Sequence, residues 1–304
     1  MTRKPVWYLL LALSAAAAGA IYPFTKLLAV NFTPLSLSFF RYFIALFPML
    51  PFFIVEMKRR KLRPGAKAIA ALSGLGILGV TGFALLFFYG VVFSTGTNGS
   101  VLVNTQPIFA VLLTPVLIGE SFSPKNLAGA SIGIFGIVLV ITGGDFSALR
   151  FSSRFFTGNL LLLGASIVLS VYSILLKPYV VSYGGTIPTF LTFTAGTIAL
   201  AAVVKSVQGY IIVPEQITVQ SGVFLLIIGF FSTAMMYIVF NRALQTIGTV
   251  ESIGFKLLIP VFGILLSILV LKERPPLASY FGAGVVIASI FVIQMRSKQG
   301  INKN

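Results

Sequence analysis

What most constrains this chain is a series of ten apolar segments, each about as long as a helix that crosses a bilayer, separated by short polar breaks. They fall near 7–28, 34–56, 68–93, 97–118, 125–143, 158–179, 187–204, 222–244, 249–271 and 277–295. A hydrocarbon core about 30 Å thick takes about 20 residues of helix, so ten spans consume most of the 304 residues. Only 9% of the residues are charged, against roughly a quarter in soluble domains. The expectation is an all-α integral membrane protein of ten transmembrane helices.

Turn formers and charge mark the breaks. They include Asn31 to Pro34, the basic stretch Lys58 to Lys67, Gly119 to Pro124, Tyr183-Gly-Gly185 and Lys272 to Pro276. The start, a basic cluster followed by an apolar run and the small residues Ala15 to Ala20, imitates a secretory signal. The repeat described below needs this segment as its first helix, so it is expected to be retained. The net charge of +16 sits mainly in connectors, where it sets membrane orientation, and nucleic acid is not expected as a partner. With the start placed inside, twelve basic residues face the cytoplasm (Arg3, Lys4, six from Lys58 to Lys67, Lys125, Arg296, Lys298, Lys303). Five face out: Arg150, Arg154, Lys205, Lys272 and Arg274. Both termini are therefore expected on the cytoplasmic side of the plasma membrane.

The two halves of the chain resemble each other. Gly119-Glu120 with Gly129 answers Lys272-Glu273 with Gly282 at a shift of 153, which Pro107 and Pro260 share. Lys26 and Lys177 are related by 151, Gly96 and Gly248 by 152, and Pro34 and Pro188 by 154. Five is odd, so the second unit enters the membrane upside down, giving two inverted five-helix repeats at 7–143 and 158–295. On these features the chain resembles the ten-helix EamA family of the drug/metabolite transporter superfamily, with its glutamate turn after the fourth and ninth helices and a proline inside each. The resemblance implies a small-molecule transporter, often an exporter of amino acids or other metabolites, with a cavity between the halves.

Charge inside a bilayer is costly, which directs attention to Lys256 and Glu251 in the ninth span. Ser252, Lys256, Pro260, Gly263 and Ser267 form one small-and-polar helical stripe. Thr97, Ser100, Asn104, Pro107 and Thr114 form another in the fourth. At a shift of 152, Asn104 answers Lys256 and Ser100 answers Ser252, so the stripes are candidates for opposite walls of one site. Lys256 is the leading candidate to meet a substrate carboxylate or phosphate, with Asn104 and Gln106 as hydrogen-bonding partners; a buried pair with an acid from another helix, or a lysine that snorkels along its stem, is the competing reading. Arg41, two turns into the second helix, either binds an anion or reaches headgroup phosphates, and an arginine here also resembles a family feature. Ser166, Ser170 and Ser173 either line the cavity or pack helices, the commoner use of serine in membranes. Tyr22, Tyr89, Tyr237 and Asn241 are substrate contacts or interface anchors. Glu120 and Glu273 read as structural caps accepting from the free amides of the helix that follows each, and Glu251 as a candidate for proton coupling. Gly74-Leu-Gly-Ile-Leu-Gly79 matches a dinucleotide fingerprint, but no strand precedes it, and its glycines suit helix packing or flexing.

The absence of Cys and His removes the commonest metal ligands and general bases. No catalytic residue, metal or cofactor is expected. The function expected is secondary transport, in the outward direction, of a zwitterionic or anionic metabolite such as an amino acid, by alternating access. A phosphorylated-metabolite or drug exchanger is the alternative within the superfamily, and a receptor or scaffold the alternative outside transport. The partners expected are a small molecule and the lipid bilayer, with the chain a monomer or a homodimer.

Overall fold

The computed structural model describes residues 4–60, 63–119, 123–145, 153–211, 217–248, 252 and 254–294. Among these, every regular element is helical. The first repeat comprises α1 (Lys4–Leu28), α2 (Pro34–Arg60), α3 (Ala66–Phe93), α4 (Gly96–Ile118) and α5 (Pro124–Thr142). The second comprises α6 (Arg154–Tyr183), α7 (Thr186–Gln208), α8 (Val219–Leu244), α9 (Phe255–Leu271) and α10 (Leu277–Gln294). Among the described residues nine of these are long and apolar enough to cross a membrane, and α9 is the shorter tenth.

Several helix ends differ from the hydropathy limits, and the extensions of α2 and of the start of α6 have a physical reason. α2 runs on through Lys58, Arg59 and Arg60, because cations in a last turn complement the helix dipole and the Glu56–Arg60 pair spans one turn. α6 extends from Arg154 to Tyr183, with the Ser153 side chain accepting from the Phe156 amide to cap it.

Successive helices alternate in direction, so α1 begins and α10 ends on one face, here called the terminal face; the opposite one is the far face. The two repeats pack as an inverted pair. α1 lies against α8 and α9, and in the mirrored relation α6 lies against α3 and α4. α2 meets α7, α4 meets α9 and α5 meets α10, each helix facing its own counterpart. Local irregularities are duplicated too. Both α3 (Ile77–Gly82) and α8 (Ile227–Met235) contain a widened π-helical segment. Both α4 (Val103–Thr105) and α9 (Phe255–Leu257) tighten into a 3-10 turn just ahead of a proline, where the ring removes an amide and crowds the preceding carbonyls. These turns are related by 152 residues, which aligns Asn104 with Lys256.

Candidate functional site

The stripes on α4 and α9 divide at mid-membrane. In the half toward the far face, Gly96–Leu102 packs along Leu258–Leu271, while Gln106–Ile118 turns instead to α5, α6 and α10. Small residues make the closed half possible. A methyl group on Gly263 would lie 2.3 Å from Ser100 Cβ, and one on Gly96 would lie 2.5 Å from Ser267 Oγ. Close backbone approach of this kind supplies van der Waals contact where lipid offers no hydrophobic drive.

The far face is also tied by polar contacts. The first amides of α4 have no intrahelical partner. Glu273, at the end of α9, accepts from the Gly96 amide at 2.7 Å, the Thr97 amide at 2.9 Å and the Thr97 hydroxyl at 2.7 Å. Thr95 Oγ1 accepts from the Asn98 amide at 3.0 Å. Lys26 donates to the Ser94 carbonyl at the end of α3. A carboxylate thus meets a helix start and an ammonium a helix end, both signs favourable to the dipoles. The carboxylate caps across the repeats, onto α4, and not onto the α10 helix that follows it. Replacing Glu273 with alanine leaves buried donors without partners and is expected to cost about 2 to 4 kcal/mol, given about 1.5 to 3 for a hydrogen bond to a charged group and partial exposure here. A melting temperature in detergent that stays level with the parent would count against this capping role.

Toward the terminal face the helices diverge around a cavity of about 580 Å³, within the usual range for small-molecule sites. Asn104, Gln106, Ser173, Lys177, Tyr237, Asn241 and Lys256 are among its polar groups, and Leu169, Leu244 and Ile290 among its apolar ones. Lys256 Nζ sits 3.9 Å above the Phe240 ring, a cation–π contact that partly replaces lost hydration. Asn104 Nδ2 donates to the Ser100 carbonyl at 2.7 Å and to the Tyr22 hydroxyl at 3.0 Å. Gln106 Nε2 donates to Ser173 Oγ at 2.7 Å. A second cavity of about 420 Å³ opens between α2 and α8 on the same face and shares Tyr237 and Asn241 with the first.

Arg41 lines neither cavity. Its Nε donates to Thr233 Oγ1 at 2.9 Å, and its guanidinium carbon lies 5.1 Å and 5.2 Å from the Tyr42 and Phe87 ring centres. Its Nη1 is buried without a hydrogen-bond partner. Tyr237 lines the larger cavity, and Tyr22 accepts from Asn104 on its wall.

Of the residues singled out from the sequence, Lys256, Asn104, Gln106 and Tyr237 are brought together on the cavity wall. Ser100 and Ser252 are fully buried away from it; Ser100 donates to the Thr97 carbonyl and Ser252 to the Gly248 carbonyl. Ser170 is likewise buried and donates to the Gln106 and Ser166 carbonyls, so it knits α6 to α4 instead of facing the cavity. Tyr89 packs against Phe93, with ring centres 5.8 Å apart, and lines neither cavity. Arg41 is not on the wall and bonds Thr233 instead. Glu120 and Glu251 lie outside the described residues. In the glycine run of α3, Gly76 and Gly79 pack against α7 and α6, whereas Gly74 faces open space. Phe240 was missed: one phenylalanine among 29 carries no signal until its partner is seen. Asn241 was named only as a group near a span end, and its place at the junction of the two cavities needed the tertiary arrangement.

The comparisons with known proteins bear on the whole chain. An uncharacterized transporter of Archaeoglobus fulgidus is 26% identical over 292 residues, 96% of this chain and 98% of the relative. A probable terminal-alkyne amino-acid exporter of Streptantibioticus cattleyicolor is 25% identical over 77% of this chain and 76% of its own. A solved crystal structure shares the fold, with a TM-score of 0.61 at 17% identity over 93% of this chain and 95% of that one. The model of the EamA-like transporter family matches twice, at residues 5–142 and 156–295. The duplicated match falls on the two five-helix units that pack as an inverted pair, and this multi-pass membrane protein belongs to the EamA-like transporter family.

Proposed function

We propose that the chain exports a small zwitterionic or anionic metabolite, such as an amino acid, by alternating access, with the terminal face and both chain ends in the cytoplasm. The observation that carries this reading is the division of α4 and α9. The two counterpart helices are zipped toward the far face and parted toward the terminal face, around a cavity that presents Lys256 and Asn104 from equivalent positions. An inverted repeat with one end closed and the other open has a second arrangement in which the ends exchange roles. The Streptantibioticus relative, by its name an exporter of an amino acid, supports the choice of cargo.

In this reading Lys256 meets the substrate carboxylate, Asn104, Gln106 and Tyr237 orient its polar remainder, and the leucine-rich wall holds its body. The domain limits 7–143 and 158–295 are proposed as the two moving units. The test is counterflow of labelled amino acids and organic acids in liposomes carrying the purified protein. Saturable flux that is lost on blocking the cavity supports the reading; no flux for any compound of either class counts against transport and leaves a receptor or scaffold. Orientation has its own check. The chain has no cysteine, so Asn241→Cys carries the only thiol, and a membrane-impermeant reagent is expected to label it from the cytoplasmic side alone.

A further inference from the structure

The Lys256 ammonium has three N–H donors and no acceptor. Among the described residues none accepts a hydrogen bond from it or forms an ion pair with it. It lies instead over the Phe240 ring, with Nζ 3.9 Å from the ring centre. A charge held away from water needs a partner. A carboxylate or carbonyl in that place would hold the ammonium through its N–H groups, and a ligand would have to displace it. The face of a ring attracts the cation through its quadrupole without fixing a hydrogen-bond direction. The ammonium is thereby held while its donors stay open to the cavity.

The packing around the pair fixes where the charge sits. Phe240 and Lys256 both line the larger cavity, and both also border a small gap lined by Leu11, Ala15, Met236, Phe255 and Ile259. Ser14, on the same gap, donates its hydroxyl to the Leu11 carbonyl at 2.9 Å. Phe255 stacks on Tyr8 with ring centres 5.7 Å apart, which holds the residue before Lys256 against α1. A lysine stem is four carbons long, flexible, and free to carry its head toward water. The Phe240 ring gives this stem one place to stop.

From this geometry we infer that Phe240 is the positioning residue of the site: its ring seats the charged Lys256 before cargo arrives and leaves the ammonium donors free for the cargo carboxylate. The role rests on the reading of Lys256 as the carboxylate contact, and it adds the residue that keeps that contact preorganised. Its effect falls on affinity. A side chain immobilised in advance loses less freedom when the ligand binds.

Phe240→Leu keeps an apolar side chain and removes the ring, whereas Phe240→Tyr keeps the ring. Leucine and 4-methylpentanoate, which carry a carboxylate on the same branched body, serve as probes in titration calorimetry on the purified full chain and in counterflow in liposomes. Phe240→Leu is expected to weaken binding of the tighter probe about two- to thirtyfold, and to raise the KM for its flux by the same factor with the maximum rate kept. Phe240→Tyr is expected to stay within about twofold of the parent. In a Lys256→Met background, where no ammonium needs a seat, Phe240→Leu should change affinity no further. Phe240→Met repeats the comparison where Phe240→Leu lowers the melting temperature. A packing role alone gives equal losses in both backgrounds, and that result would overturn the inference. Equal losses in Phe240→Leu and Phe240→Tyr would do the same. Parental affinity in Phe240→Leu, with weak binding in Lys256→Met, would overturn it while leaving the transport reading intact. The expected binding pattern without flux would support the seat and sink the transport reading, and no binding of either probe to the parent would overturn both.

Discussion

Replacing Lys256 with alanine is expected to reduce transport at low substrate concentration by about ten- to a hundredfold, the loss of one hydrogen-bonded charge contact worth about 1.5 to 3 kcal/mol. The protein should still fold. This ammonium lies over the face of Phe240 at 3.9 Å, a contact worth about 0.5 to 2 kcal/mol. Removing the charge also removes the cost of keeping it from water, so a melting temperature near the parent's is expected. Flux is best read against Lys256→Met, which retains the length and apolar stem without the charge. Parental uptake kinetics in both variants would take Lys256 out of the site.

The second large effect is structural, and two glycines on one helix make it sharp. A methyl group at Gly76 would lie 2.3 Å from the Thr192 carbonyl oxygen, an atom of the α7 backbone with no side chain to swing away. The approach is held from both sides: one at Gly196 would lie 2.7 Å from the Gly76 carbonyl, and Thr81 Oγ1 donates to the Gly196 carbonyl at 2.9 Å. Overpacking a well-packed core costs about 1 to 3 kcal/mol, and more where backbones must part. Gly76→Leu is expected to abolish the monodisperse species in detergent, and Gly76→Ala to lower the melting temperature by about 5 °C or more. Gly74, two residues away, has nothing within 4 Å of an added methyl. Gly74→Ala is expected to be neutral or to stabilise by up to about 1 kcal/mol through helix propensity. Equal melting temperatures for the two alanine variants would show that the α3–α7 approach is not the constraint.

These contrasts show where sequence reading stops. Gly74, Gly76 and Gly79 form one run on one helix, and nothing local distinguishes the glycine in open space from those against α7 and α6. Among the serines, Ser100 and Ser252 share a stripe with Asn104 and Lys256 at helical spacing, yet they bond their own helix carbonyls while the other pair faces the cavity. Periodicity selects a helix face. It does not say over which part of its length that face is covered, because this depends on how far two helices diverge along their axes. Glu273 was legible as an acceptor of free helix amides, but the sequence pointed to the helix that follows it; that it caps α4 in the opposite repeat instead follows only from the docking of α9 against α4.

The ten apolar segments fix the class of this protein by themselves, because hydrogen-bond satisfaction in lipid leaves a helix no competitor over 20 apolar residues. Their duplication fixes the inversion, because an odd number of crossings reverses the next unit. Both properties are carried by the chain locally, residue after residue. Which face of the bundle is open, which polar residues meet, and that Phe240 covers Lys256 were decided by the tertiary structure alone, since each depends on how separate helices pack against one another. The ten-span pattern announces that a path exists across the membrane; the parting of α4 from α9 at mid-depth gives that path its walls.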